Sequence, residues 1–415
     1  MAFSPSSTSH AHNGKPHTMA FAAMTTLFFI WGFITALNDI LIPHLKAAFS
    51  LSYTQAMLVQ FCFFGAYFVI SPFAGKLIEK IGYTRGIITG LLTIATGCCL
   101  FYPAAEVEVY SLFLLGLFVL ASGVAILQVS ANPYVAILGP EKTAASRLNL
   151  AQGINSLGHT LAPLFGAALI FGAASDSIGA DAVQLPYLIL AGAMIITAVG
   201  FVFLKLPVIN QQSDDTQAAT GSIWQQKRLL FGALAIFLYV GAEVTVGSFL
   251  VNYFAMPEIG NLSEREASQL VSYYWGAAMV GRFVGAAITR VIAPAYVLTA
   301  NAVLAVVLLF VTMSSTGEMA MWSVLAVGFF NSIMFPTIFS LAIRGLGPLT
   351  GRGSGLLCQA IVGGAIVPLI QGAVADATSV QISFIVPVFA YLYIGIYAIM
   401  LKRSEAPMKE APVNL

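Results

Sequence analysis

Charge is what this chain is shortest of. Asp, Glu, Lys and Arg make up only 8 % of its 415 residues, against roughly a quarter in a soluble domain. Eighteen basic and seventeen acidic residues leave a net charge of +1, which gives no footing for nucleic acid or a strongly acidic surface as partner. Cysteine is scarce as well. Cys62, Cys98, Cys99 and Cys358 all fall in apolar stretches, none at metal-ligand spacing, and are expected to be packing residues. No HExxH, no GxSxG and no Cys and His set occurs, so neither an activated nucleophile nor a catalytic metal is in sight. The chain is not expected to be an enzyme, and no cofactor is implied. Residues 1–18 lack the charged start and small-residue cleavage site of a secretory leader and are expected to form a disordered cytoplasmic tail.

What remains is apolar. Hydrophobic residues reach 59 % and the mean hydropathy is +0.88. A bilayer crossing needs about 20 such residues, and twelve spans qualify: 19–44, 53–78, 84–104, 108–138, 146–172, 185–206, 227–255, 267–292, 295–313, 319–344, 352–375 and 380–401. With the N-terminus inside, fifteen of the eighteen basic residues fall on inside segments, two (Lys46 and Arg265) outside, and Arg282 within a span. The positive-inside rule then puts both termini in the cytoplasm.

Between spans 6 and 7 the polar stretch PVINQQSDDTQAATGSIWQQKR separates two six-span halves. The expected divisions are an N-terminal half 19–206, a central cytoplasmic loop 207–226, a C-terminal half 227–401 and a tail 402–415. The halves echo each other. Leu138, Gly139 and Pro140 recur as Leu346, Gly347 and Pro348, and Gln152 recurs as Gln359. Asp39 and Glu243, the two acids within spans, belong to the same series at a separation of 243 − 39 = 204. A carboxylate at the bilayer centre costs about 2.5–3.5 kcal/mol on insertion scales, so one per half points to ion or substrate handling. Parallel halves of this kind place a shared site near the midplane and rock about it. Neutral amides mark that site: Gln128 and Asn132 are four apart on span 4, Gln152 and Asn155 three apart on span 5, so each pair shares a helix face. Asn252, Asn331 and Gln359 extend the set. Amides donate and accept, which suits a polyhydroxylated ligand, and Trp31, Tyr273, Tyr274 and Trp275 offer rings for stacking on a sugar, with Tyr273 taken as the substrate contact. His159, four residues after Asn155, is expected to be a neutral, hydrogen-bonded histidine near the cavity.

The loop between spans 2 and 3 reads GKLIEKIGYTRG. Its Gly75, Glu79, Gly82 and Arg85 resemble the loop signature of the major facilitator superfamily and are assigned as a gating loop. The stretches LNDILIPH, SANPYVAILGP, RLNLAQGINSLG, GAEVTVGSFLVNY and FNSIMFPTIFSLAI resemble the fucose, galactose and glucose symporters of that superfamily. Within it the chain is most similar to bacterial inner-membrane glucose/galactose transporters. The resemblance implies an all-α membrane fold of twelve helices in two pseudo-symmetric halves, working as a monomer in the bacterial inner membrane. It implies import of a neutral hexose, glucose or galactose, with a cation. By the same likeness Asp39 matches the fucose permease's span-1 aspartate, and Gln152 and Asn155 match its span-5 pair. The permease's span-4 glutamate falls on Gln128, an amide that cannot cycle a proton, and its span-7 glutamine falls on Glu243. Cation coupling is therefore assigned to Asp39, Asn38 and Glu243. Either Na+ or H+ would serve, with sodium, held at Asp39 and its oxygen neighbours, favoured by the missing span-4 carboxylate. The alternatives are a proton-coupled fucose-type or amino-sugar symporter, or a drug or metabolite exporter of the same fold.

Overall fold

The computed structural model describes residues 18–49, 53–166, 183–204, 206–207 and 221–404. The expected tails and most of the central loop lie outside these. The first half contains α1 (Thr18–Ala48), α2 (Tyr53–Ile81), α3 (Tyr83–Glu106), α4 (Tyr110–Ile137), α5 (Ala144–Gly166) and α6 (Gln184–Phe203). The second contains α7 (Lys227–Phe254), α8 (Glu264–Val291), α9 (Pro294–Ser314), the broken pair α10 (Gly317–Asn331) and α11 (Met334–Ala342), the pair α12 (Thr350–Gln359) and α13 (Gly363–Ala377), and finally the short α14 (Val380–Ser383) leading into α15 (Ile385–Ser404). Counting each broken pair as one crossing gives twelve, six per half, as the hydropathy pattern leads one to expect.

The halves repeat one packing scheme: α1 lies on α5, α2 on α4 and α3 on α4 and α6, while α7 lies on α13, α8 on α10 and α9 on α10 and α15. Small residues make these crossings close. Gly90 and Gly97 are two turns apart on α3 and face Gly123 and Leu120 on α4, where an added Cβ at Gly97 would stand 2.6 Å from the Leu120 Cα. Backbones that approach this closely gain dispersion contacts that lipid cannot compete with. At the start of α8, Ser263 and Glu266 form a reciprocal capping box, which satisfies two otherwise unpaired N–H groups.

By length and hydropathy all the crossings among the described residues could traverse a bilayer except α5 and α8. These two pack against each other across the boundary between the halves. α5 carries the buried Asn149, Gln152, Asn155 and Ser156, and α8 carries Arg282 and a charged first turn.

Proline shapes the interior. Pro72 on α2 and Pro133 on α4 have no N–H, so the carbonyls four residues earlier lose their helical partner. Those carbonyls are used by the opposite half: Gln359 donates to the Phe68 carbonyl at 3.2 Å and Ser354 to the Val129 carbonyl at 3.0 Å. Pro336, in the first turn of α11, similarly leaves the Ser332 carbonyl free where span 10 breaks.

The halves are sealed at the end that carries the basic loops. Gly75 and Gly351 meet there, and Glu79 pairs with Arg352 at 2.7 Å. Glu141 pairs with Arg344 in the neighbouring loops. Gly82 begins α3 at a φ of 80°, a left-handed conformation that favours glycine, and Arg85 is exposed one turn on. Substituting Gly97→Leu should destabilise the α3–α4 crossing by about 1–3 kcal/mol through overpacking. The thermal unfolding midpoint of the detergent-solubilised protein is expected to drop, whereas Gly192→Ala, where a Cβ meets nothing within 4 Å, should leave it unchanged.

Candidate functional site

Arg282, on α8 near the middle of the bundle, organises the boundary between the halves. Its guanidinium has donors in three directions, and each is used. One terminal nitrogen pairs with Glu243 Oε1 on α7 at 3.0 Å, and both side chains are largely buried, at 14 % and 13 % exposure. The other terminal nitrogen donates to the Ser156 hydroxyl on α5, in the opposite half. Nε donates to the Ser332 carbonyl at 3.2 Å, the carbonyl that Pro336 releases. A buried cation is tolerable only with this degree of compensation.

Tyrosines and an amide surround the pair. The Tyr274 hydroxyl donates to the Glu243 carbonyl at 3.2 Å, and Asn331 Nδ2 contacts the Tyr274 and Tyr391 hydroxyls at 2.7 and 3.1 Å. Tyr239, one turn before Glu243, is close enough to interact with both Glu243 and Arg282. On the other side of the boundary Ser156 donates to the Gln152 carbonyl at 2.9 Å. Asn155 holds α1 by donating to the Phe28 carbonyl at 2.8 Å, with Gly32 and Gly158 making that crossing close. His159 lies 3.4 Å from the Thr35 hydroxyl on α1 and within electrostatic reach of Arg282.

The residues picked from sequence are distributed as follows. Glu243, Gln152, Asn155 and Asn331 belong to this central region. Glu243, assigned from sequence as a coupling group, is paired with Arg282 in this structure. Gln128 is engaged by the Tyr67 hydroxyl at 2.5 Å, and Gln359 spans to α2 as described. Asn132 is fully buried. Asn252 is exposed on α7. Asn38 and Asp39 lie on α1, in the stretch 37–48 whose side chains are outside the described residues. Tyr273 is 58 % exposed and packs on the exposed Trp322. Its neighbour Tyr274 is fully buried and takes the inward position, because consecutive residues on a helix point about 100° apart. Trp31 is buried against Phe28, and Trp275 packs on Tyr274 and Gly247.

Arg282 is the residue that sequence reasoning passed over, together with its tyrosine surround. Its signal was present: it is the one basic residue that topology leaves inside a span, and a charge of either sign there marks function.

Two sealed halves around a buried polar centre, with each half repeating the other's packing, agree with a match of residues 19–360 to the profile described as Major Facilitator Superfamily. The chain belongs to the major facilitator superfamily. Among its superfamily relatives, a glucose/galactose transporter of Brucella abortus is 57 % identical over 394 residues, 94 % of this chain and 96 % of that protein. A putative glucose/galactose transporter of Helicobacter pylori is 46 % identical over 94 % of this chain and 98 % of its own. An L-fucose-proton symporter of Escherichia coli is 35 % identical over 94 % of both chains. The crystal structure of the superfamily transporter FucP in the outward conformation superposes with a TM-score of 0.85 at 34 % identity, covering 93 % of this chain and 99 % of that one.

Removing one member of a largely buried pair strands the other, at about 3–5 kcal/mol. Glu243→Gln should therefore lower the unfolding midpoint sharply, and adding Arg282→Met should restore much of it. A double-mutant cycle on thermal unfolding measures the coupling; additive losses would show that the two side chains do not act as a pair.

Proposed function

We propose that this protein is a cation-coupled symporter that imports a neutral hexose, glucose or galactose, by alternating access. The observation that carries the reading is the Arg282 cluster, which ties α5 of one half to α7, α8 and the span-10 break of the other. Its surroundings are amides and hydroxyls, which match sugar hydroxyls as donors and acceptors and leave net charge out of the ligand. The names of two superfamily relatives, glucose/galactose transporters at 57 % and 46 % identity, support that substrate class.

Hexose binding between the halves would draw Ser156 and Arg282 into contact with the ligand. The halves 19–206 and 227–401 then move as units, and the basic end, taken as cytoplasmic, opens in turn. Because Glu243 is committed to Arg282, the coupling group is Asp39, supported by Asn38. An unneutralised carboxylate resists enclosure in a dry interior, whereas one holding a cation does not. Coupling thus follows from electrostatics.

Sodium is the ion favoured by the span-4 position, where Gln128 is an amide already bonded to Tyr67. The proton is a second reading, supported by the 35 % identical fucose-proton symporter and by the simplicity of a single titrating acid. The protein is placed in a bacterial inner membrane with both termini inside, acting as a monomer.

Labelled glucose and galactose uptake into proteoliposomes, under a sodium gradient at clamped pH and then a pH gradient at clamped sodium, decides among these. Accumulation is expected under the sodium gradient. Accumulation under the pH gradient alone would assign the proton, and accumulation under neither would reject symport. Asp39→Asn should abolish concentrative uptake, with at least about a tenfold loss, while downhill exchange of sugar persists. Undiminished accumulation by that variant would remove Asp39 from the mechanism.

A further inference from the structure

Polar atoms without partners gather at the junction of α2, α4 and α12. On α2, Tyr67, Ser71, Gly75 and Glu79 follow at four-residue steps and form one ridge. Gln128 and Asn132 do so on α4, and Gly351, Gly355 and Gln359 on α12. Near the midplane, Gln128 bonds Tyr67 and Gln359 bonds the Phe68 carbonyl. At the basic end, Gly75 meets Gly351 and Glu79 holds Arg352. Between these levels lie Ser71 and Asn132, both at 0 % exposure. The Ser71 hydroxyl and both amide atoms of the Asn132 side chain make no hydrogen bond. The opposite half covers them closely: Ser354 donates to the Val129 carbonyl, and a Cβ at Gly355 would stand 2.6 Å from the Ser71 carbonyl.

A hydroxyl and an amide placed here contribute nothing to the sealed state, which apolar residues of similar volume would fill more favourably. Their chemistry matches the central cluster, since each can donate and accept. They sit one helical turn, about 6 Å, beyond Gln128 toward the basic end, so a ligand leaving the centre in that direction reaches them next.

We infer that Ser71 and Asn132 form a second binding station for a polyhydroxylated ligand on the release side, covered by α12 while the basic end is sealed and uncovered when the α2–α12 crossing parts. This rests on the sugar-transport reading. The crossing is suited to parting, because Gly75, Gly351 and Gly355 meet there through backbone and, among the described residues, its one charged tie is the partly exposed Glu79–Arg352 pair.

Two measurements on the full-length protein test it. The first uses Asn132→Cys in a background whose four native cysteines are replaced by alanine, probed with a membrane-impermeant thiosulfonate from the basic face. Labelling should be slow with Glu79 intact, at least about tenfold faster with Glu79→Gln, and slowed again by saturating glucose. A thiol that stays unreactive in the Glu79→Gln background, or whose reactivity ignores glucose, overturns the station. The second compares KM for hexose presented to each face of oriented proteoliposomes. Asn132→Leu and the milder Ser71→Ala, which guards against a folding failure, should raise KM from the basic face about tenfold and leave the opposite face within twofold. Equal changes on both faces, or none, would overturn the proposal. If the unsubstituted protein moves no hexose, the transport reading falls and takes the ligand assignment with it, a result distinct from loss of sidedness in an active carrier.

Discussion

A backbone carbonyl deprived of its helical partner inside a membrane must find another donor, because the surrounding hydrocarbon supplies none. Pro72, Pro133 and Pro336 each create that situation, and each released carbonyl is met by a side chain from a different helix: Gln359, Ser354 and Arg282. Two of the three contacts run between the halves. The third anchors the arginine on which the polar centre is built. Proline therefore does more than bend helices here; it decides which helices must touch and at what height.

The centre follows from the same economy of polar groups. Arg282 is acceptable in a dry interior because a carboxylate, a hydroxyl and a released carbonyl surround it. That arrangement pairs Glu243 with Arg282. It also fits the finding that α5 and α8, the two crossings among the described residues that fall short of a span's hydropathy, lie against each other.

Much of this was legible in the residue order. Twelve crossings follow from hydropathy, since a bilayer demands long apolar segments and tolerates few departures. The three- and four-residue spacings located Gln128, Asn155 and their neighbours on shared faces. Rotation about a helix axis was harder to see. Tyr273, Tyr274 and Trp275 are adjacent, and nothing local says which one turns inward; packing against α7 and α10 selects Tyr274. Pairing was hidden too. The partner of Glu243 lies 39 residues away on another helix, and spacing alone does not tell that Asn132 is fully covered.

The glycine and serine seams have a mechanical corollary. A carbonyl released by proline is bonded to its neighbour through one side chain and is not needed by its own helix, so it can trade that side chain for water the moment a crevice floods, with no helical turn unwound. Gln359 and Ser354 are accordingly fasteners that detach without tearing the fabric on either side. A protein jointed in this way can hinge many times as two stiff bodies, and wear falls on replaceable solvent bonds rather than on its secondary structure.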